Sequence, residues 1–262
     1  MISNAQEKQS EWLEQWSLLQ DQNEFLFEEW ISPYTLNDFK DKDVLECGCG
    51  GGQHTSLIAS VAKFVTAVDL NTISLAKEKN KNFKNVTFIE SDIANLNLNK
   101  QFDIVLCIGV LQHTSNPGAV VDAMQAHLKA GGLLLIWCYS KEGNFLVRKV
   151  VEPIRKAILT SIKRETLLKL SKIVTALMYI PIYTIYLLPI RVLPYFEYFQ
   201  NFRRLSFYRN VLNVFDKLNA PQTIFFDQKT ATHFVSDLGN VKVLPYKGVS
   251  WRISGRQPNK PS

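Results

Sequence analysis

The sequence has 262 residues, of which 46% are apolar and 21% charged, a composition typical of a globular protein with one core or one core with a large insertion. The N-terminal stretch MISNAQEKQSEWLEQW lacks the apolar core that a signal peptide needs, so we expect that the protein is not secreted. The four cysteines show no spacing that suggests a disulfide framework, which favours a reducing, cytoplasmic compartment.

The first predicted element is a helix over residues 5–31. Tryptophan and leucine residues recur there at helical spacing between polar positions. Ser32-Pro33 ends this pattern, because the residue before a proline is disfavoured in the helical conformation. We therefore expect residues 1–43 to form an N-terminal helical cap.

From Asp43 to Ser140, short apolar runs alternate with helical patterns. The predicted strands cover residues 43–48, 64–70, 85–93, 101–109 and 132–140. The predicted helices cover residues 54–62, 72–83 and 116–132. Asn116-Pro117 is the start signal of the last helix, and Gly131-Gly132 is its predicted stop.

This alternation predicts an α/β fold, a doubly wound, mostly parallel sheet with helices on both sides, because the strands are apolar on both faces. After residue 142 the pattern is interrupted by a helical insertion over residues 143–226. A helix at 227–239 and two strands at 241–248 and 249–256 then resume it. The two strands predict an antiparallel hairpin at one edge of a seven-stranded sheet, within a domain that covers residues 44–262.

A glycine-rich turn follows the first predicted strand, in the stretch VLECGCGGGQHTSLIA (44–59). Such a turn lets the backbone approach a ligand closely, because no side chain intervenes. A dinucleotide turn needs the pattern G-x-G-x-x-G, but Gln53 stands at its third glycine. The spacing acid-x-G-x-G-x-G fits without a gap, from Glu46 through Gly48, Gly50 and Gly52.

This spacing resembles the class I S-adenosylmethionine-dependent methyltransferases, which have a Rossmann-like fold. Asp69 ends the second predicted strand, where the family's ribose-binding acid lies, and Asp92 stands where its adenine-proximal acid lies. FDIVLCIGVLQHT and LKAGGLLLI are similar to the family's fourth-strand and fifth-strand segments. Segments such as NEFLFEEWISP and GVSWRISGR also resemble a bacterial subgroup of these methyltransferases.

The resemblance implies S-adenosylmethionine as the cofactor, and the residue types suit it. This molecule carries a sulfonium, an ammonium, a carboxylate and a ribose diol but no phosphate, so its site needs carboxylates. Asp69 could accept hydrogen bonds from both ribose hydroxyls, and Glu46 could order the turn. The implied cofactor-binding residues are Glu46, Gly48, Cys49, Gly50, Gly52, His54, Asp69, Leu70, Asp92, Ile93, Ile108 and Gly109.

Some of these residues also have a purely structural interpretation. Asp69 and Asp92 are of a type that caps helix N-termini. Cys47 and Cys49 have no second Cys or His pair at zinc spacing, so we interpret them as small buried residues and expect no metal site.

The loop VLQHT (110–114) follows the fourth predicted strand. Open sheets bind ligands at the carboxyl ends of their strands, so this loop should lie beside the transferred methyl group. His113 is therefore the candidate base or substrate-orienting residue. A histidine here can also belong to the motif without a catalytic role, and both interpretations stay open.

The insertion 143–226 is basic and aromatic, and in this architecture it would lie over the substrate side as a lid. Residues 141–226 contain fourteen Lys or Arg and five Asp or Glu. Within them, residues 173–190 carry no charge. Pro181 and Pro189 interrupt this run, which argues against a membrane span.

Residues 173–190 have three remaining interpretations. They could be a buried part of the lid, or an interfacial element that contacts a membrane peripherally or binds a lipid-linked substrate, since basic residues flank them. RNA binding uses similar residue types, but the apolar run is too continuous for a typical RNA face. Nucleic acid is therefore a disfavoured partner.

The predicted function is methyl transfer from S-adenosylmethionine to a small-molecule, lipid-linked or sugar-linked acceptor. The alternatives are an RNA methyltransferase, in particular one for tRNA, and a non-catalytic regulator that binds S-adenosylmethionine. The predicted location is the cytoplasm, with a peripheral membrane contact through 173–190 as an open interpretation.

Overall fold

The computed structural model describes residues 3–18, 23–159 and 162–259. Within them, the strands are β1 (Asp43–Cys47), β2 (Phe64–Asp69), β3 (Val86–Glu90), β4 (Phe102–Ile108), β5 (Leu128–Tyr139), β6 (Gly239–Tyr246) and β7 (Ser250–Arg256). They form one seven-stranded sheet with the order β3-β2-β1-β4-β5-β7-β6. β1 to β5 pair in parallel, and β7 pairs antiparallel with both β5 and β6. The predicted α/β fold, a mostly parallel sheet with an antiparallel C-terminal hairpin, is confirmed.

Helices cover both faces of the sheet and fill the insertion. The α-helices of the described residues are α1 (Ser3–Leu18), α2 (Glu24–Ile31), α3 (Gln53–Ala59), α4 (Ile73–Lys79), α5 (Pro117–Ala126), α6 (Glu152–Ala157), α7 (Arg164–Ile182), α8 (Phe196–Phe202), α9 (Phe207–Asn219) and α10 (Gln228–His233). The strand order reverses beside β1, because β2 lies on one side of it and β4 on the other. A crevice opens at such a point, outside the carboxyl ends of the strands.

The central strands are buried on both faces, as their apolar runs predict. Leu45 and Val105 belong to an apolar cluster that packs one face of the sheet against α5 and α10. Their strand neighbours Val44 and Leu106 belong to a second cluster, which packs the other face against α2 and α3. Successive side chains of a strand point to opposite faces, so one apolar run supplies both clusters.

The prediction of one continuous helix over residues 5–31 is wrong. α1 ends at Leu18 and α2 begins at Glu24, while residues 19–22 lie outside the described part of the chain. Asn23 has extended backbone angles (φ −122°, ψ 94°), so no helix can continue through it. Ile31 ends α2 directly before Ser32-Pro33, as the proline predicts.

The predicted stop of the helix over residues 116–132 is also wrong. α5 ends at Ala126, where the imidazole Nδ1 of His127 bonds to the carbonyl of Ala123 at 2.6 Å. The His127 carbonyl accepts a hydrogen bond from Phe102 of β4, so the chain is already joining the sheet. Gly131 and Gly132 lie inside β5, where its pairing with β4 shifts in register. These glycines allow a strand irregularity and do not cap a helix.

The insertion, which we call the lid (residues 143–226), leaves and rejoins the sheet at one place. Its last residue, Phe226, bonds through its N–H to the carbonyl of Tyr139, and its carbonyl accepts the N–H of Lys141. The lid therefore begins and ends beside the carboxyl end of β5, with α7 packed on α9 in between. Leu167 of α7 and Phe215 of α9 are fully buried in a small core of the lid.

The uncharged run 173–190 does not form one helix. α7 includes Pro181 and ends at Ile182, and a short 3-10 turn follows at Ile185–Leu187. Within the described ranges, no helix combines the length and the apolarity needed to cross a bilayer.

Candidate functional site

A cavity of about 800 Å³ lies at the carboxyl ends of β1, β2 and β4. Two sets of elements enclose it. The side formed by residues 48–50, 69–72, 91–94 and 108–110 is called the turn side here, and the side formed by β5, α1, α2 and the lid is called the lid side. Each predicted cofactor-binding residue except Glu46 and Gly52 lines this cavity, and so does His113.

The glycine turn is shaped by close packing as well as by backbone conformation. Gly48, Gly50 and Gly52 all have positive φ angles, which L side chains rarely adopt. A Cβ on Gly48 would lie 2.5 Å from a methyl group of Val110, at the end of β4. The turn therefore packs directly on the β4 terminus, and a larger residue at position 48 would displace the two strand ends from each other.

The carboxylate of Asp69 holds the turn in place. Its Oδ2 accepts the N–H of Gly50 at 2.9 Å, and its Oδ1 accepts the N–H groups of Asn71 and Thr72, each at 3.3 Å. The hydroxyl of Thr72 then donates to the carbonyl of Gly50 at 2.7 Å. A carboxylate offers about four lone-pair positions, and three are used here. The N-cap of α4 is Thr72, so the helix-capping interpretation of Asp69 is wrong, and its carboxylate holds the glycine turn instead. About one of its lone-pair positions is left unused by the described residues.

Glu46 lies beneath the turn and outside the cavity lining. It is only 3% exposed, and its Oε2 accepts a hydrogen bond from the hydroxyl of Thr55 at 2.5 Å. Burial raises its pKa to about 7, and the negative charge of Asp69 adds to the rise. A carboxyl group in this position orders the first turn of α3 and can exist in either protonation state near neutral pH.

His54 lies on the other side of Glu46, with its Nδ1 4.0 Å from Glu46 Oε1. Its ring packs against Phe27 and Trp30 of α2, at centroid distances of 5.0 and 5.7 Å. Burial, assisted by the charge of Arg209, lowers the pKa of His54 to about 3, so the ring is neutral. The packing of its ring against α2 gives His54 a structural role, and its role as a cofactor ligand stays a prediction.

Asp92 is exposed at the rim of the cavity and caps a short 3-10 turn. Its carboxylate accepts the N–H of Ala94 at 3.0 Å and the side-chain amide of Asn95 at 3.1 Å. Ile93 is buried behind it and packs into the core. The capping role that the sequence left open for Asp92 is present, and any contact with a ligand is a prediction.

His113 lies between the two sides of the cavity. Its Nδ1 is 2.9 Å from the carbonyl oxygen of Gln222, so the Nδ1 carries the proton and the Nε2 is left as an acceptor. The amide of Gln222 donates back to the His113 carbonyl at 3.1 Å. Trp12 of α1 and Tyr139 of β5 flank the ring at 4.7 and 6.0 Å. Burial lowers the pKa of His113, which favours the neutral ring.

Comparison with known proteins is consistent with this geometry. Residues 45–136 match the family model described as a methyltransferase domain. A segment of 116 residues is 29% identical to the ubiquinone biosynthesis O-methyltransferase of Rickettsia canadensis, and covers 43% of this chain and 48% of that protein. The same enzyme of Haemophilus ducreyi is 30% identical over 109 residues, which cover 38% of this chain and 46% of that protein. The chain thus spans less than half the length of these two relatives.

The solved structures extend the likeness to the whole fold. The N-methyltransferase NodS from Bradyrhizobium japonicum, crystallised with S-adenosyl-L-homocysteine, superposes with a TM-score of 0.51 over 90% of this chain and 85% of that protein. The sequence identity is 13%, so this likeness concerns the fold. Residues 45–136 therefore resemble a methyltransferase domain in sequence, and the fold around them is that of a solved methyltransferase.

The sequence did not predict a polar network that connects the end of β5 to α1 and the lid. Asp216 of α9 accepts hydrogen bonds from the hydroxyl of Tyr139 at 2.8 Å and from the amide of Gln15 at 3.2 Å. The carbonyl oxygen of the Gln15 side chain accepts the amide of Asn219 at 3.1 Å. Gln15 lies between Trp12 and Trp16 on the cavity face of α1, so the helical spacing of the tryptophans was the one signal that could have identified it.

The raised pKa of Glu46 predicts a specific loss of stability with rising pH. The folded protein keeps Glu46 protonated up to about pH 7, whereas the unfolded chain releases the proton near the ordinary value of 4.5. Relative to the Glu46→Gln variant, the ligand-free protein should therefore lose about 3 kcal/mol of unfolding free energy as the pH rises from 4.5 through 7, and no more above that range. Urea denaturation of both proteins between pH 4.5 and 8.5 measures the difference.

Glu90→Gln is the matched control, because it removes an exposed carboxylate at the end of β3. A constant difference between wild type and Glu46→Gln across the pH range would show that Glu46 ionises normally.

Proposed function

We propose that the protein transfers a methyl group from S-adenosylmethionine to an apolar or lipid-linked small molecule, and that the cavity between the glycine turn and the lid holds both. The observation that carries this proposal is the position of His113, which lines the cavity and whose Nε2 accepts no hydrogen bond from the described residues. The two relatives compared above bear the name of ubiquinone biosynthesis O-methyltransferases, which supports a small-molecule acceptor.

The residues of the turn side fit the cofactor. Asp69 and Asp92 present carboxylates to the cavity, and no Lys or Arg lies within residues 44–62, as suits a ligand with a sulfonium and no phosphate. The amide nitrogen of Gln53 is buried, lines the cavity and has no hydrogen-bond partner among the described residues. A buried donor without a partner is costly, so a ligand that accepts its hydrogen bond would be stabilised there.

Each residue then has a definite task. The cofactor supplies an already activated methyl group, so the protein contributes mainly alignment, exclusion of water and a base. Asp69 would hold the ribose and Gln53 the amino-acid end. His113 would accept the proton of the acceptor at Nε2, while Gln222 keeps its Nδ1 protonated and its ring in place. The lowered pKa of His113 keeps the base unprotonated at neutral pH.

Asp69→Ala tests the cofactor side. The variant loses the hydrogen bond of the carboxylate to the ribose, which as a charge-assisted bond is worth about 1.5–3 kcal/mol, together with the three bonds that hold the turn. We expect the affinity for S-adenosylhomocysteine, measured by isothermal titration calorimetry, to fall by about 100-fold or more. The control is Thr72→Val, which removes the other hydrogen bond that holds Gly50 but leaves the carboxylate intact, and it should weaken binding less. Equal affinities of wild type and Asp69→Ala would refute the assignment.

His113→Gln tests the base. With methyl-labelled S-adenosylmethionine and an extract of host metabolites, lipids and RNA, the wild type should label a small-molecule or lipid fraction. The variant should label it about 100-fold more slowly or worse, with unchanged affinity for S-adenosylhomocysteine. Equal rates would exclude the base role. Label in the RNA fraction would favour the tRNA alternative, and no label in any fraction, with intact binding, would favour the regulator.

The outer face of the lid supports a membrane contact. Ile173, Leu177 and Ile180 form one stripe on α7 and are 58–65% exposed, while Ser171 and Thr175 on its other face are fully buried. An apolar stripe of this kind, extended by exposed Leu187 and Leu188 beyond the helix, is typical of interaction surfaces. Exposed Lys172 and Arg191 border it, which suits an anionic lipid surface.

The same helix reaches the cavity, because Val174 and Met178 line it. A lipid-linked acceptor held in a membrane at the stripe could therefore enter beside α7 without crossing bulk water. We propose that the stripe binds the surface of an anionic membrane.

The double variant Leu177→Asp/Ile180→Asp tests this contact. It places two negative charges on the apolar stripe that would contact the membrane. Sedimentation with phosphatidylglycerol vesicles should therefore fall by about tenfold or more. Val241→Asp/Leu244→Asp, at exposed apolar positions of β6, is the control and should sediment as the wild type does. The proposal would be contradicted if the two double variants sedimented equally. It would also be contradicted if the wild type bound phosphatidylcholine vesicles as well as phosphatidylglycerol vesicles.

A further inference from the structure

The lid side of the cavity has an aromatic wall, formed by Trp30, Trp137 and Tyr139. The rings of Trp30 and Trp137 lie 4.8 Å apart, and those of Trp137 and Tyr139 lie 5.6 Å apart, so the wall is continuous. The indole N–H groups of both tryptophans are buried and have no hydrogen-bond partner among the described residues. The wall therefore combines a flat apolar surface with hydrogen-bond donors that a ligand could satisfy.

An ammonium group lies at one end of this wall. Lys217 of α9 lines the cavity, and its Nζ is 5.5 Å from the ring centroid of Tyr139 and 5.4 Å from that of Tyr198. It donates to the hydroxyl of Tyr198 at 3.3 Å and to the carbonyl of Asn213 at 3.4 Å. Within the described part of the chain these are its acceptors, and neither is a carboxylate. A half-buried ammonium group whose hydrogen bonds go to neutral acceptors is stabilised by an anion that accepts a hydrogen bond from it directly.

The adjacent Asp216 acts on Lys217 through its charge, which raises the pKa of the ammonium against the opposing effect of burial, but it accepts none of the hydrogen bonds of Lys217 described above. Both oxygens of Asp216 are already engaged, one by the hydroxyl of Tyr139 and the other by the amide of Gln15. At the other end of the wall, the guanidinium of Arg209 lies 5.8 Å from the Trp30 ring centroid. The lid side thus carries two cations and one hydrogen-bonded anion, whereas Asp69 and Asp92 make the turn side acidic.

We propose that the acceptor carries a carboxylate or an equivalent anionic oxygen group, which Lys217 binds at the end of the aromatic wall while the rest of the acceptor lies along Trp137 and Trp30. The proposal deepens the proposed function, on which it rests, by naming a chemical feature of the acceptor. The charge separation would also orient the two ligands, because the cationic sulfonium is favoured at the acidic turn side and the anionic group at the lid side.

Binding of a matched pair of probes tests this inference without any methyl transfer. 2-Naphthoate and its neutral isostere 2-naphthamide have the same ring system and differ in the charge of one group. Titrated into the full-length protein in the presence of S-adenosylhomocysteine and monitored by isothermal titration calorimetry, naphthoate should bind at least about tenfold more tightly than naphthamide, since hydrogen bonds to a charged group are the stronger ones.

Variants at position 217 then locate the effect. Lys217→Met keeps the length of the side chain without its charge, and should abolish the preference for naphthoate while leaving the naphthamide affinity unchanged. Lys217→Arg should retain the preference. The control is Lys156→Met, at an exposed lysine of α6, which should behave as the wild type does. Unchanged affinity for S-adenosylhomocysteine in each variant shows that the fold and the turn side are intact.

Two results would overturn the inference: equal wild-type affinities for the two probes, or a naphthoate preference that survives in Lys217→Met. Both are independent of the methyltransferase assignment. A protein that discriminates the probes but binds no S-adenosylhomocysteine would refute the proposed function and leave the anion site standing, and the reverse pattern would refute only the anion site.

Discussion

The hydrogen bond from the N–H of Gly50 to the carboxylate of Asp69 is the contact on which the site depends. Thr72 holds the carbonyl of the same glycine, so this residue is fixed on both sides between the end of β1 and the start of α4. Three glycines with positive φ in five residues make the turn costly in conformational entropy, and these bonds offset part of that cost. Because the turn is fixed, the ends of β2 and β4 keep a defined distance from it, and a cavity can form between them.

The lid and α1 close the other side through polar groups that are satisfied only when the segments meet. Asp216 has one partner on β5 and one on α1, and Gln222 holds the His113 ring through a reciprocal pair of hydrogen bonds. Buried polar groups that lose their partners cost more than the bonds themselves contribute. These hydrogen bonds therefore favour one arrangement of the lid and α1 over the cavity. The histidine, the aromatic wall and the glycine turn line that same cavity.

The division of charge within that space gives the proposed chemistry its direction. Two carboxylates lie on the turn side, and two cations with one carboxylate, Asp216, lie on the lid side, with a neutral histidine between them. In a protein cavity the effective dielectric constant is lower than in bulk water, so such charges act more strongly on a ligand there. A cationic cofactor and an anionic acceptor would then be held at opposite sides, and His113 would lie where a proton must be removed.

The sequence by itself determined the alternation of strands and helices, the hairpin and the glycine turn with its acid, because all of these follow from local spacing. Residues close together in the sequence are enough to recognise the apolar pattern of β1 and β4. The same holds for the spacing from Glu46 to Gly52. The break before α2 and the end of α5 at Ala126 escaped prediction, since Asn23 has an extended backbone and His127 already joins the sheet. Only the tertiary structure decided that Tyr139, Asp216 and Gln15 meet and that Lys217 lies against the aromatic wall. These residues are 77 to 201 positions apart where they bond to one another, and no local pattern encodes such contacts, which arise when the lid folds back onto the end of β5.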